Sequence, residues 1–256
     1  MTKYSANLGF LWQELSLPDA IRAAAKAGFD GVECHFPYDD EPSEVKAALH
    51  ETGLPMLGLN TRVGNAEQGD FGLAAMPGRE VEARQLIDEA FDYAAMIGCD
   101  AVHVMAGKSA GTADADRSFL SNLDYAAKRA ATMGASVLIE PINQRDAPDY
   151  HFSTIDAARS IISSLGHTNV KAMFDCYHLQ IMQGDLLTRL IANLDIIGHI
   201  QIAGVPDRGE PDVGEVDYRW LMSQLDRLPY DGFVGAEYKP RADTNSGLGW
   251  LEAFNS

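Results

Sequence analysis

Four short apolar segments in the second half of the chain each close on one oxygen-bearing side chain. They read Val137-Leu138-Ile139-Glu140, Ala172-Met173-Phe174-Asp175, His199-Ile200-Gln201 and Val234-Gly235-Ala236-Glu237. If these segments are neighbouring strands of one sheet, the four side chains converge at one end of it. Carboxylates brought within about 4–6 Å raise one another's pKa unless a cation compensates, and a divalent ion is the simplest compensator. Two Glu, an Asp and a Gln form an all-oxygen set, which suits Mg²⁺ or Mn²⁺ better than Zn²⁺. The expected cofactor is therefore one divalent metal ion, Mg²⁺ or Mn²⁺. Four protein ligands would leave two octahedral positions for a substrate that chelates through two oxygens. One acidic residue at a strand end is ordinarily a solvated loop start, a reading that does not account for four in succession.

Other residues could complete such a site. His178 lies three residues past Asp175, so one helical turn leaving the strand would aim it at the same place. Arg208 falls in the segment after the third of these strands and could bind a carboxylate bidentately. Lys239 and Arg241 are further candidates for that cationic role. Glu33 and His103 end earlier apolar segments and either line the pocket or pack behind it. Trp12, Phe36, Tyr38 and Phe71 lie where they could exclude solvent.

The elements that must carry these residues alternate regularly. Strand-like runs fall at 4–8, 31–34, 55–59, 101–105, 137–140, 170–175, 197–202 and 232–237. Amphipathic helical patterns fall at 18–27, 42–52, 79–97, 115–133, 154–165, 179–193 and 218–228. The phrase of helix, Gly and then strand recurs at Gly28, Gly53, Gly98 and Gly134, with Gly166 as a further helix stop. Long segments at 61–78, 106–114, 141–153 and 203–216 all follow strands, where this architecture carries function. A polar, Gly-rich tail from Pro240 would dock through Trp250 and Phe254. The expectation is an α/β chain forming a single (β/α)8 TIM barrel over residues 1–256. The alternative is an open doubly wound sheet, for which no GxGxxG follows the first strand.

Composition narrows the partners. The chain has 256 residues, 46% of them apolar, and a net charge of −17. Such a surface repels nucleic acid, and no Lys/Arg run offsets it. The acidic cluster Asp39-Asp40-Glu41 reads as a solvated loop and helix start. Three cysteines, none in a CxxC pair, give no disulfide framework and suit a reducing cytoplasm. No apolar run approaches the ~18 residues of a membrane span, and no signal-like apolar segment follows Met1. The expected partner is a small anionic substrate, with no nucleic acid and no membrane; a homo-oligomer is compatible with the sequence.

Several motifs together resemble the hydroxypyruvate isomerase family of the xylose-isomerase-like barrel superfamily. They include Phe29-Asp30-Gly31-Val32-Glu33, Met76-Pro77-Gly78-Arg79-Glu80, Glu140-Pro141-Ile142-Asn143, Phe174-Asp175-Cys176-Tyr177-His178, Gly198-His199-Ile200-Gln201 and Gly235-Ala236-Glu237-Tyr238-Lys239-Pro240-Arg241. The resemblance runs over nearly the whole chain. It implies Glu140, Asp175, Gln201 and Glu237 as metal ligands and Glu140 with Glu237 as the proton-transfer pair. The implied reaction interconverts hydroxypyruvate and tartronate semialdehyde through an enediolate. Two branches of the family stay open. Asn60-Thr61 and Val102-His103-Val104-Met105-Ala106-Gly107 look like the branch acting on 2-oxo-tetronate, whereas Glu140-Pro141-Ile142-Asn143 looks like the hydroxypyruvate branch. A ketose 3-epimerase would share the metal chemistry. A metal-dependent endonuclease shares the barrel but uses several Zn²⁺ ions and many His ligands, and a polyanionic substrate would meet the charge of −17.

Overall fold

A computed structural model describes residues 1–109 and 111–254; Ala110, inside the expected loop 106–114, and residues 255–256 of the expected tail lie outside the described residues. Eight parallel strands form one sheet in the order β2-β1-β8-β7-β6-β5-β4-β3. They are β1 (Lys3–Asn7), β2 (Gly31–Glu33), β3 (Leu59–Asn60), β4 (Ala101–His103), β5 (Ser136–Ile139), β6 (Val170–Asp175), β7 (Ile197–Ile202) and β8 (Phe233–Ala236). The helices are α1 (Leu17–Ala27), α2 (Pro42–Thr52), α3 (Glu80–Ile97), α4 (Ala113–Ala131), α5 (Ile155–Leu165), α6 (Cys176–Met182), α7 (Leu186–Asn193), α8 (Tyr218–Leu225) and α9 (Gly249–Phe254). At the edge of the sheet, β2 meets the segment leading into β3 at one isolated parallel bridge, Val32 to Met56. Backbone bonds from Val32 N to Pro55 O and from Cys34 N to Gly58 O stitch the same seam. The result is a nearly closed (β/α)8 barrel.

The expected third strand, 55–59, is displaced to Leu59–Asn60. Pro55 has no N–H to donate, so it can only accept at the seam. The long helical pattern at 179–193 is split into α6 and α7 at Gly184, whose φ of 61° no helix continues through. α6 begins directly after β6 because Asp175 caps it: its Oδ1 accepts from Tyr177 N at 2.8 Å. Strands β5 and β8 stop one residue short of Glu140 and Glu237, which thereby open the loops at the barrel mouth.

Register decides which side chains share the interior. Met173 pairs with His199, Asp175 with Gln201, and Gln201 with Gly235. A shift of register between Ala172 and Met173 brings His199 and Gln201 level with Met173 and Asp175. Deeper in the barrel, Ala101, Leu138 and Met173 fill the space between the strands. The larger core lies between sheet and helices and includes Ile21, Leu59, Phe91, Phe119 and Phe174. Cys34, Cys99 and Cys176 are buried free thiols within it, consistent with packing roles. Among the described residues no helix is long and apolar enough to cross a membrane.

The tail docks as the sequence suggests. Trp250 of α9 is buried against Tyr4, Phe29, Tyr238 and Phe254, with ring centroids 5.4–6.2 Å away. Its Nε1 donates to Tyr238 Oη at 3.2 Å. Trp250→Ala should therefore destabilise the fold by about 3–5 kcal/mol, the usual range for emptying a buried Trp site. Urea unfolding checks this; a loss under about 1 kcal/mol would mean that Trp250 packing does not anchor α9.

Candidate active site

The mouth of the barrel gathers Glu140, Asp175, Gln201 and Glu237, which are 5%, 1%, 1% and 6% exposed. Arg208 links two of them. Its Nη2 donates to Glu237 Oε2 at 2.7 Å and to Asp175 Oδ2 at 3.4 Å. The guanidinium is sandwiched between Phe10 and Tyr177, 5.1 and 5.0 Å from their ring centres. Its Nε is buried and has no hydrogen-bond partner among the described residues. His178 Nε2 lies 3.5 Å from Asp175 Oδ2 and 3.6 Å from Glu140 Oε1. Glu140, Asp175 and His178 each offer a ligand atom, all within 4.8 Å of one another.

These environments separate the carboxyl groups. Burial, reinforced by the charges of Glu237 and Asp175, pushes the Glu140 pKa well above the ordinary value. Burial, with Glu237 adding to it and Arg208 opposing, pushes Asp175 up to about 7. Glu237 is buried too, but Arg208 and His35 outweigh that and hold it far below the ordinary range. Among the histidines, burial lowers His103 to about 4, and burial with Arg208 lowers His178 to about 3. Burial opposes charge on His199, yet Glu33 outweighs it and raises that imidazole.

The donor set fits a divalent cation. Glu140 Oε1 and Gln201 Oε1 are buried without a hydrogen-bond partner among the described residues. Gln201 commits its amide nitrogen to Glu33 Oε2 at 3.4 Å, which leaves only the carbonyl oxygen to bind. Buried acceptors of this kind are costly unless something positive meets them. A hard cation meets oxygen acceptors of this type.

Of the other sequence candidates, His103, Arg208 and His178 line a cavity of about 210 Å³ together with Glu140 and Glu237. Glu33 lies deeper and acts from behind: its Oε2 is 2.8 Å from His199 Nε2. A Cβ at Gly235 would collide with the Glu33 carboxylate, so Gly is required there for Glu33 to reach across. Lys239 is not brought to the cavity. Its side chain is exposed, with Nζ 5.9 Å from the Phe10 ring, because Phe10 and Arg208 occupy the space beneath it. Arg241 is likewise turned away, paired with Glu210 and Asp212. Phe36 and Phe71 do wall the cavity. Trp12 is instead core, its backbone N–H donating to Thr244 Oγ1, and Tyr38 packs on Tyr93.

Sequence reasoning missed His35, Asn7 and Phe10, and named Asn60 only as a mark of the 2-oxo-tetronate branch. His35 Nε2 lies 2.9 Å from Glu237 Oε1, and Asn7 Nδ2 donates to the same oxygen at 3.1 Å. Phe10 and Asn60 line the cavity. Asn7 and Asn60 end β1 and β3, so the strand-end rule that singled out Glu33 and His103 applied to them as well.

The family model described as Xylose isomerase-like TIM barrel matches residues 21–254. The 2-oxo-tetronate isomerase of Cupriavidus necator is 46% identical over 259 residues, covering 99% of this chain and 99% of that protein. The hydroxypyruvate isomerase of Escherichia coli (strain K12) is 36% identical over 257 residues, covering 99% of this chain and 100% of that protein. A crystal structure described as AP endonuclease, family 2, from Brucella melitensis superposes with a TM-score of 0.95 at 38% identity, covering 99% of each chain.

The raised Asp175 pKa carries a stability consequence for the metal-free protein. The folded chain holds this proton more tightly than the unfolded chain, so the group's contribution is lost as pH rises from about 4 to about 7. Asn caps a helix as well as Asp does, so Asp175→Asn keeps the α6 cap. The melting temperature of Asp175→Asn minus that of wild type, both metal-free, should grow by a few degrees between pH 4 and 7. A difference that stays flat or shrinks over that range would mean the carboxylates do not strain the empty site.

Proposed function

We propose that this chain, which belongs to the xylose isomerase-like TIM barrel family and is an isomerase, interconverts hydroxypyruvate and tartronate semialdehyde (2-hydroxy-3-oxopropanoate). The observation that carries the reading is a pair of buried glutamates facing one small cavity with opposite proton affinities. Glu140 is pushed up and Glu237 held down. Two titratable groups driven apart in this way are the signature of assigned acid and base roles. A divalent ion, Mg²⁺ or Mn²⁺, held by Glu140, Asp175, Gln201 and Glu237 would polarise the carbonyl and hydroxyl oxygens of the substrate.

The chain's own groups supply the rest. Glu237 is pinned by Asn7, His35 and Arg208, which fixes its position and weakens it as a base. Glu140 has the greater proton affinity, so in its ionised form it is the stronger base of the pair. It removes the proton from the hydroxyl-bearing carbon, giving an enediolate; the pair returns a proton to the neighbouring carbon, and the hydroxyl proton passes from the first oxygen to the second. The unpartnered Nε–H of Arg208 is available to the substrate carboxylate. Phe10, Phe36, Phe71, Met105 and Ile142 keep bulk water from the enediolate.

A four-carbon substrate, 2-oxo-tetronate, is the second reading. Asn60, His103 and Met105 from the segments resembling that branch line the cavity, and the relative bearing that name is 46% identical. NMR assays in Mg²⁺ or Mn²⁺ with both acids side by side separate the two. Glu140→Gln and Glu237→Gln should each slow deuterium uptake from solvent into the substrate by about 10²–10⁴-fold. Wild-type exchange in either variant would remove that residue from the proton-transfer pair.

A further inference from the structure

We infer that Asn143 fixes His178 as the tautomer protonated on Nε2, making His178 a hydrogen-bond donor to a substrate oxygen rather than a cation ligand. The inference deepens the isomerase reading above and rests on it for the identity of the acceptor. Two donors converge on His178 Nδ1: the backbone N–H of Asn143 at 3.3 Å and its side-chain Nδ2 at 2.6 Å. The backbone donor has no alternative orientation and favours Nδ1 as an acceptor, and the shorter side-chain contact decides it.

The side-chain amide is oriented independently. Its Oδ1 accepts from Asp146 N at 2.8 Å, and its Nδ2 donates to Asp146 Oδ2 at 3.1 Å. Exchanging the amide oxygen and nitrogen would set acceptor against acceptor at Asp146 and at His178. Asp146 is held in turn: Tyr177 Oη donates to its Oδ2 at 2.7 Å, and Arg145 Nη2 donates to Tyr177 Oη at 2.8 Å.

With Nδ1 accepting, the single ring proton sits on Nε2. That atom lies 3.5–3.6 Å from Asp175 Oδ2 and Glu140 Oε1, too far to be consumed by either. It faces the cavity that His178 helps to line. Nearness alone would make Glu140, Asp175 and His178 a ligand set. A ligating imidazole nitrogen must be unprotonated, and the Asn143 contacts exclude that at Nε2. Asn143 is thus a positioning residue for His178. It accounts for Asn143 in the Glu140-Pro141-Ile142-Asn143 motif.

Imidazole ¹H–¹⁵N correlation spectra of the ¹⁵N-histidine-labelled protein test this directly. His178 should show an unprotonated Nδ1 and a protonated Nε2, both retained when Mg²⁺ is added. Asn143→Asp presents a carboxylate to Nδ1 and should move a proton there. It should lower kcat by about 10- to 100-fold, the usual range for a lost supporting partner. Asn143→Ala keeps the backbone donor and should lose less. A proton on Nδ1 of the wild-type protein, or loss of the Nε2 proton on adding Mg²⁺, would overturn the assignment. So would an Asn143→Asp protein that keeps both nitrogen signals and its kcat. The wild-type spectra decide the tautomer whether or not the variants fold. An inactive protein with the expected wild-type spectra would count against the isomerase reading and leave the tautomer standing.

Discussion

Three carboxylates buried at one barrel mouth set the terms for the rest of this structure. Glu140, Asp175 and Glu237 are removed from water, and Arg208 alone does not neutralise them. Burying charge is expensive unless it is paired and hydrogen-bonded. Arg208 answers part of that cost, and the backbone that presents it is itself strained, with φ of 55° at a non-glycine residue. His35 and Asn7 answer another part at Glu237. What is left over appears as raised proton affinity at Glu140 and Asp175. A site left in that condition holds buried oxygens that a cation would satisfy, at a cost in stability.

Behind the carboxylates lies a layer of polar side chains whose work is orientation. Glu33 holds the Gln201 amide and faces His199. Asn143, backed by Asp146, Tyr177 and Arg145, holds His178. Both layers depend on the backbone giving way at the right place. Gly235 leaves room for Glu33, and the register shift beside Met173 turns His199 and Gln201 inward. A rigid supporting shell of this kind is what keeps reacting groups within a fraction of an ångström of useful geometry.

The cavity above is divided by chemistry. Its floor is carboxylate, imidazole and guanidinium, and its walls are Phe10, Phe36, Phe71, Met105 and Ile142. Apolar walls lower the local dielectric, which strengthens every interaction on the floor. At about 210 Å³ the space suits a molecule of a few carbons rather than a polymer. The same burial that excludes water raises the Glu140 and Asp175 pKa values, so there solvent exclusion and proton affinity are one effect seen twice.

Much of this was written in local sequence. Helix α2 and strands β6 and β7 occupy the spans that spacing alone suggested, 42–52, 170–175 and 197–202. Alternating apolar runs and Gly or Pro punctuation depend only on near neighbours, so they can be read one segment at a time. The four strand-end oxygens were legible for the same reason: parallel barrel strands share one mouth, so strand ends meet. Tertiary structure decided what depended on distant segments. Whether Lys239 or Arg208 reaches the cavity depended on Phe10, distant in sequence, whose ring packs near both. Asn7 and His35 meet Glu237 because β8 pairs with β1 and β1 with β2. Residues 55–58 meet β2 at the seam, a contact no local pattern encodes. Sequence determined which residue types stand at the mouth, because periodicity is local. Only the closed barrel decided their partners and protonation, because those follow from burial and from charges brought together across the whole chain.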